Sequence, residues 1–205
     1  MMKLQIFRLF VIVSVGCHFF TGSTVFTINN GFMTLQMDPL SLLFYPFFVF
    51  ATWFSLNVTP NFTNQIARWW RGFTAFITDF VIVLNLIGLP LCFAGLVIEN
   101  GGFPKEWSIS RQLDPNENVL FSVILFPSIL VMIGAISLAL HPNIVSPGAL
   151  FAGVDIRTEK EKPAPKLAMW GFLSYFLVAL PFMKHFIFSE KEKSNLEPRV
   201  VLRNA

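Results

Sequence analysis

Asp79 and His18 are the ionisable residues that lie deepest inside apolar stretches of the chain. On a helix, Asp79 lies about 12 Å beyond Arg71, and His18 about 15 Å beyond Arg8. An ionised carboxylate in lipid costs roughly 2.5 to 3.5 kcal/mol, so it is expected to be paired, protonated or in contact with water. We therefore predict an intramembrane hydrogen-bonded pair of His18 and Asp79. The alternative is that Asp79 reaches the interface or Arg71, while His18 binds a backbone carbonyl.

The sequence lacks the motifs that carry catalysis or metal binding. It contains no Gly-x-Ser-x-Gly, no His-Glu-x-x-His, no Cys-x-x-Cys, no glycine-rich phosphate loop and no acidic cluster suited to Mg²⁺. Cys17 and Cys92 fall in different apolar stretches, where thiols behave as small hydrophobic groups. We expect no enzymatic activity, no metal ion and no cofactor, apart from bound lipids. Contact with a quinone or a pigment stays an open alternative, with His18 as a candidate axial ligand.

The composition excludes a soluble globular protein. Of 205 residues, 54% are hydrophobic and 13% are charged, and the mean hydropathy is +0.62. A soluble domain carries about 25% charged residues. The net charge of +3 is small and its basic residues are scattered, which argues against nucleic acid as a partner. We expect an integral protein of a bacterial or organellar inner membrane, in contact with the lipid bilayer and with other membrane subunits.

Five apolar stretches come close to the 20 or so residues that a transmembrane helix needs. They cover residues 9–28, 40–56, 73–98, 119–140 and 167–188. The second is the shortest and contains Pro46, so a re-entrant segment is an alternative there. The connections between the stretches are too short for a soluble domain. We predict an all-α fold, a polytopic membrane bundle of about five transmembrane helices within residues 1–188, followed by a polar tail at 189–205.

Small and polar residues recur along one side of the third apolar stretch. Their spacing alternates between four and three residues, which is typical of a seam where two helices pack closely in lipid. The residues of this helix-packing face are Thr74, Thr78, Val81, Asn85, Gly88, Cys92 and Gly95. An aromatic stripe of Trp69, Phe73, Phe76 and Phe80 is predicted to point outward. We expect Asn85 to form an interhelical hydrogen bond.

The second apolar stretch is unusually aromatic. Its aromatic residues include Phe44, Phe47, Phe48, Trp53 and Phe54. Lipid contact is the simplest explanation, and a docking surface for another subunit is the alternative.

These features together favour a non-catalytic accessory or structural subunit of a larger membrane complex, in a respiratory or photosynthetic membrane. The alternative is a small membrane component of a solute or ion transporter. Asp79, Asn85 and the prolines of the apolar stretches favour that second function.

Overall fold

The chain forms both helices and strands. A computed structural model describes residues 2–20, 24–29, 31–59, 62–117, 128–134, 145–158 and 198–203. The helices are α1 (Met2–Phe20), α2 (Leu40–Leu56), α3 (Trp69–Glu99) and α4 (Pro147–Ala152). The strands are β1 (Val25–Asn29), β2 (Phe32–Gln36), β3 (Phe62–Ile66), β4 (Ser108–Gln112), β5 (Val154–Thr158) and β6 (Pro198–Arg203). Residues 128–134 are also helical.

The first sheet has the strand order β1-β2-β4, and all its strands are antiparallel. The sequence Asn30-Gly31 separates β1 from β2, and Gly31 has a positive φ of 77°, as tight hairpins require. On β2, Met33 and Leu35 are buried, whereas Thr34 between them is only half-buried. This period of two places one face of the first sheet against the core.

The second sheet has the order β3-β6-β5 and is also antiparallel. Its central strand, β6, is Pro198–Arg203, and it pairs with β5 over residues 198–202. The stretch predicted as a polar tail, 189–205, therefore contributes the middle of a sheet.

Helices α1 and α2 pack antiparallel through aromatic rings. Phe7 stacks on Phe54 at 5.1 Å between ring centroids, and Phe10 lies 5.4 Å from Phe47. Because an early residue of α1 meets a late residue of α2, the two helices run in opposite directions. Tyr45 of α2 donates a hydrogen bond of 3.4 Å to a carbonyl of α3. This bond ties the aromatic helix pair to the long helix.

The two sheets lie at opposite ends of α3. The 31 residues of α3 span about 46 Å at 1.5 Å per residue. Near its end, the Cys92 thiol donates to the Gln36 carbonyl of β2 at 3.6 Å, so the first sheet packs there. The second sheet lies at the start of α3. Strand β3 ends just before α3 begins. Helix α4, which leads into β5, packs on the first half of α3, against Ala75 and Asp79.

The predicted all-α bundle of five transmembrane helices is wrong. The described residues form two antiparallel sheets, and among their helices one, α3, is long and apolar enough to cross a membrane. The first apolar stretch, 9–28, fails because α1 ends at Phe20 and Val25–Asn29 is a strand. A sum of hydropathy over about 20 residues does not register such a change of period from 3.6 to 2.

The other predicted spans have different outcomes. The stretch 40–56 coincides with α2, which has 17 residues, and 73–98 lies within α3. Of the stretch 119–140, only residues 128–134 are described, and they are helical. The stretch 167–188 lies outside the described residues.

Candidate functional site

Asp79 is buried against the start of α4 and is the most enclosed carboxylate among the described residues. Asp79 is 2% exposed. The Ser146 hydroxyl donates to Asp79 Oδ2 at 2.6 Å, and the Gly148 backbone N–H donates to Oδ1 at 2.6 Å. Each carboxylate oxygen therefore accepts a hydrogen bond from an uncharged donor, which offsets the loss of water.

The local sequence explains why α4 begins at this point. Ser146 is the N-cap, and its hydroxyl oxygen also accepts a hydrogen bond of 3.1 Å from the Ala149 N–H. Pro147 occupies the first turn, where its missing N–H costs nothing. The Asp79 carboxylate then lies at the end of α4 whose free N–H groups favour a negative charge. Asp79 acts as a second cap for α4, supplied by α3.

Gly148 lets α4 approach the backbone of α3. A Cβ at this position would overlap the Ala75 carbonyl oxygen and would lie 2.8 Å from Asp79 Cγ. Because Ala75 belongs to a helix backbone that cannot easily shift, only glycine fits here. Asp79, Ser146 and Gly148 form one structural unit, which we call the α4 clasp.

The predicted pair of His18 and Asp79 stays a prediction, because the side chain of His18 lies outside the described residues. The partners described for Asp79 are Ser146 and Gly148, which sequence reasoning missed. The Ser146-Pro147 pair is itself a helix-start signal. Nothing local, however, connects it with a carboxylate 67 residues earlier in the chain.

The residues of the predicted helix-packing face have different environments. Thr78, Asn85 and Cys92 are buried, whereas Thr74, Gly88 and Gly95 are half-buried. Near the end of α3 the neighbour is a strand, since a Cβ at Gly95 would lie 3.1 Å from the Leu35 side chain. The hydrogen bond described for the Asn85 amide goes to the Val81 carbonyl of its own helix, at 2.7 Å.

The aromatic residues of α2 divide between the helix interface and the surface. Phe48 is buried, and Phe44, Phe47 and Phe54 are half-buried, with Phe47 and Phe54 against rings of α1. Trp53 is 61% exposed. The aromatic richness of α2 therefore serves packing between helices as well as the outer surface.

An exposed apolar line follows α3 from one end to the other. Its members are Trp69, Phe73, Leu84, Leu91 and Ile98. At 100° per residue, these five positions lie within about 60° of one another around the helix. Only 33% of the most apolar stretch of α3 is buried, whereas a core helix of a soluble protein is mostly buried.

An ion cluster lies at the C-terminal end of α3. Arg111 of β4 donates two hydrogen bonds to Glu99, of 2.8 and 2.9 Å, and donates to Glu117 at 2.8 Å. Hydrogen bonds from Arg111 and from the Asp114 N–H lower the pKa of Glu117 to about 2. The hydrogen bonds to Glu117 and Glu99 raise the pKa of Arg111 above its ordinary value. The cluster fixes β4 to the last residue of α3.

The polar side chains of the α4 clasp and of the ion cluster bind one another. Among the described residues, no three His, Cys, Asp or Glu side chains group together as metal ligands. The Ser146 hydroxyl is buried and donates to Asp79. Comparison of the chain with known protein families, with curated proteins and with solved structures gives no match.

Proposed function

We propose that this chain is a non-catalytic membrane subunit that acts by contact with other membrane polypeptides, with α3 crossing the bilayer. The observation that carries the proposal is the exposed apolar line of α3. Leu84 and Leu91, near the middle of the helix, are 37% and 36% exposed, and Ile98 is 75% exposed. Apolar side chains exposed at intervals along the whole length of a helix are costly in water and suit lipid or another subunit.

The ends of α3 support a membrane location as well. Trp69 and Trp70 are exposed at its first turn, next to Arg68 and Arg71. Tryptophan and basic side chains are typical of the interface between lipid and water. At the far end, Glu99 marks the return to charged residues. The apolar part between them exceeds the roughly 30 Å of a bilayer core.

The two carboxylates of α3 support a contact role, because both are bound by other groups of the chain. Asp79 is engaged by Ser146 and Gly148, and Glu99 is engaged by Arg111. The transporter alternative rests on Asp79 and Asn85, and both residues are buried. The sequence-based alternative of a transporter component therefore gains no support from the described residues.

Membrane extraction gives the first test. The chain carries an affinity tag, membranes of its native cells are washed with alkaline carbonate, and pellet and supernatant are probed for the tag. We expect the chain to stay in the pellet. Release of most of the chain into the supernatant would contradict a membrane-crossing α3.

A pair of matched variants separates lipid from water around α3. Leu84→Lys places a charge in the middle of the apolar line, and Phe103→Lys makes the same kind of change after the helix, where Phe103 is 73% exposed. In lipid, a central lysine costs roughly 2.5 to 3.5 kcal/mol. We expect Leu84→Lys to lower the equilibrium constant for membrane insertion by on the order of a hundredfold, and Phe103→Lys to leave it unchanged. Equal behaviour of the two variants would contradict the proposal.

Co-purification tests the subunit role. The tagged chain is extracted in a mild detergent, and its size is measured by light scattering. We expect a stable assembly with other membrane polypeptides, and their identities test the expectation of a respiratory or photosynthetic membrane. A monodisperse monomer from native membranes would contradict the subunit role while leaving the membrane location intact.

A further inference from the structure

Two arginines from different helices converge on the turn after α4. A Cβ at Gly153 would lie 3.5 Å from Arg8 Nη2 and 4.0 Å from Arg71 Nη1. Gly153 takes the left-handed conformation, with a φ of 67°, and ends α4. One nitrogen of each guanidinium group therefore lies within 4.0 Å of the position that a Cβ of residue 153 would occupy, and glycine leaves that position empty. Arg8, Arg71 and Gly153 define what we call the arginine pocket.

The positive charge of the arginine pocket is not balanced by a described carboxylate. Within the described part of the chain, the salt bridges are those of Arg111 with Glu99 and Glu117. Arg71 instead lies over the Trp70 ring, at 5.4 Å from the ring centroid. Two guanidinium groups that face one point repel each other unless an anion lies between them. The pocket thus has the charge and the donors of an anion site.

We infer that the arginine pocket binds the phosphate of an anionic lipid headgroup. The inference rests on the proposed function, because it needs α3 in the bilayer. Arg71 lies in the first turn of α3, beside the exposed Trp69 and Trp70, at the level where headgroups meet water. Guanidinium groups bind phosphate oxygens through paired hydrogen bonds of about 2.8 Å. A lipid held here would join α1, α3 and the end of α4.

Native mass spectrometry of the full chain in neutral detergent tests the pocket. The probes are short-chain phosphatidylglycerol, which is anionic, and short-chain phosphatidylcholine, which has no net charge. We expect the unaltered chain to bind phosphatidylglycerol on the order of tenfold more tightly. The variant Arg8→Gln/Arg71→Gln should lose this preference. Lys105→Gln, which removes a cation after the far end of α3, should keep it.

Several outcomes would overturn the inference. One is an equal affinity of the unaltered chain for both lipids, and another is an unchanged preference in the double variant. If the double variant does not fold, Arg8→Gln and Arg71→Gln are tested singly, and each should lose about threefold in preference. Displacement of phosphatidylglycerol by an equal concentration of inorganic phosphate would assign the pocket to free anions instead.

Failure of this inference is separable from failure of the proposed function. A chain that resists carbonate extraction but shows no lipid preference would overturn only the arginine pocket. A chain released by carbonate would overturn the membrane location itself, whatever it binds in detergent.

Discussion

Asp79 and Glu99 are both carboxylates of α3 whose partners come from later segments of the chain, but the partners differ in charge. Asp79 is buried and accepts hydrogen bonds from a hydroxyl and a backbone N–H. Glu99 is more accessible and is held by the guanidinium of Arg111, whose side chain is itself 33% exposed. Near water, a charged donor loses little solvation free energy when it binds a carboxylate. In the interior, each additional charge carries a desolvation cost.

Burial, rather than charge, decides how much each of these contacts contributes to the stability of the fold. The α4 clasp cannot exchange its hydrogen bonds for water when a partner is removed, so a lost partner leaves buried donors unsatisfied. The ion cluster around Arg111 can recover water in the same situation, and exposed ion pairs contribute little.

Gly148→Ala should be the most damaging change in the α4 clasp. Its Cβ would overlap the Ala75 carbonyl oxygen, and displacing a helix backbone is expected to cost about 3 kcal/mol, the upper end of the usual range for overpacking. The measurement is the thermal unfolding midpoint in detergent, followed by circular dichroism. The matched control is Gly88→Ala on α3, where a Cβ meets nothing within 4 Å. If both variants unfold at the same temperature, the close approach of α4 to α3 is contradicted.

Asp79→Ala should cost about 2 to 3 kcal/mol, because it leaves the Ser146 hydroxyl and the Gly148 N–H without their acceptor. Asp79→Asn should cost less, at about 1 kcal/mol, since its amide oxygen can accept from Gly148 and its NH₂ can donate to Ser146. Thermal unfolding of both variants gives the ranking. An asparagine variant as unstable as the alanine variant would show that the charge, rather than the hydrogen bonds, matters at this position.

Ser146→Ala should cost about 2 kcal/mol, because it removes an N-cap hydroxyl and also leaves one oxygen of the buried Asp79 carboxylate without this donor. It removes one donor to Asp79 and the acceptor for the Ala149 N–H. Ser146→Thr keeps a hydroxyl and is the matched control. Because both residues belong to one unit, we expect the Ser146→Ala and Asp79→Ala effects to be less than additive in the double variant. Strict additivity would contradict the α4 clasp as a single unit.

Arg111→Gln should have the smallest effect on stability, below about 1 kcal/mol, because its partners can regain water. The sharper measurement is the titration of Glu117 by carboxyl NMR. In the unaltered chain its pKa lies near 2, so the stabilising effect of the ionised form is fully present above pH 4.5 and is lost as the pH falls towards 2.

In the Arg111→Gln variant, the pKa of Glu117 should rise towards its ordinary value of 4.5. Lys105→Gln leaves the cluster intact and is the control. A Glu117 pKa that stays near 2 in Arg111→Gln would show that the backbone hydrogen bond from Asp114 alone holds the carboxylate ionised.

Several local features of the fold could be read from the sequence, although a count of apolar residues misses them. Asn30-Gly31 is a hairpin signal between two stretches with a period of two, Phe26-Thr-Ile28 and Met33-Thr-Leu35. Ser146-Pro147 followed by Gly153 marks the start and the end of a short helix. A hydropathy sum hides these signals because strands and helices use the same apolar residues.

Other features of the site depend on contacts that no local pattern encodes. The capping of α4 by Asp79 joins residues from two distant segments. The convergence of Arg8 and Arg71 at Gly153 joins three elements. Sequence reasoning identified Asp79 as a residue in need of a partner, because the cost of a buried carboxylate is general. It could not name Ser146 and Gly148, because the choice of partner depends on how the helices pack.

The environment of Leu84 and Leu91 tests the central claim most directly. Spin labels attached at Leu84→Cys, Leu91→Cys and Phe103→Cys, in a Cys17→Ala/Cys92→Ala background, report collision rates with oxygen and with a water-soluble nickel chelate. In lipid vesicles, a membrane-crossing α3 predicts that oxygen dominates at positions 84 and 91 and that the chelate dominates at 103. Dominance of the chelate at all three positions would contradict a membrane-crossing α3.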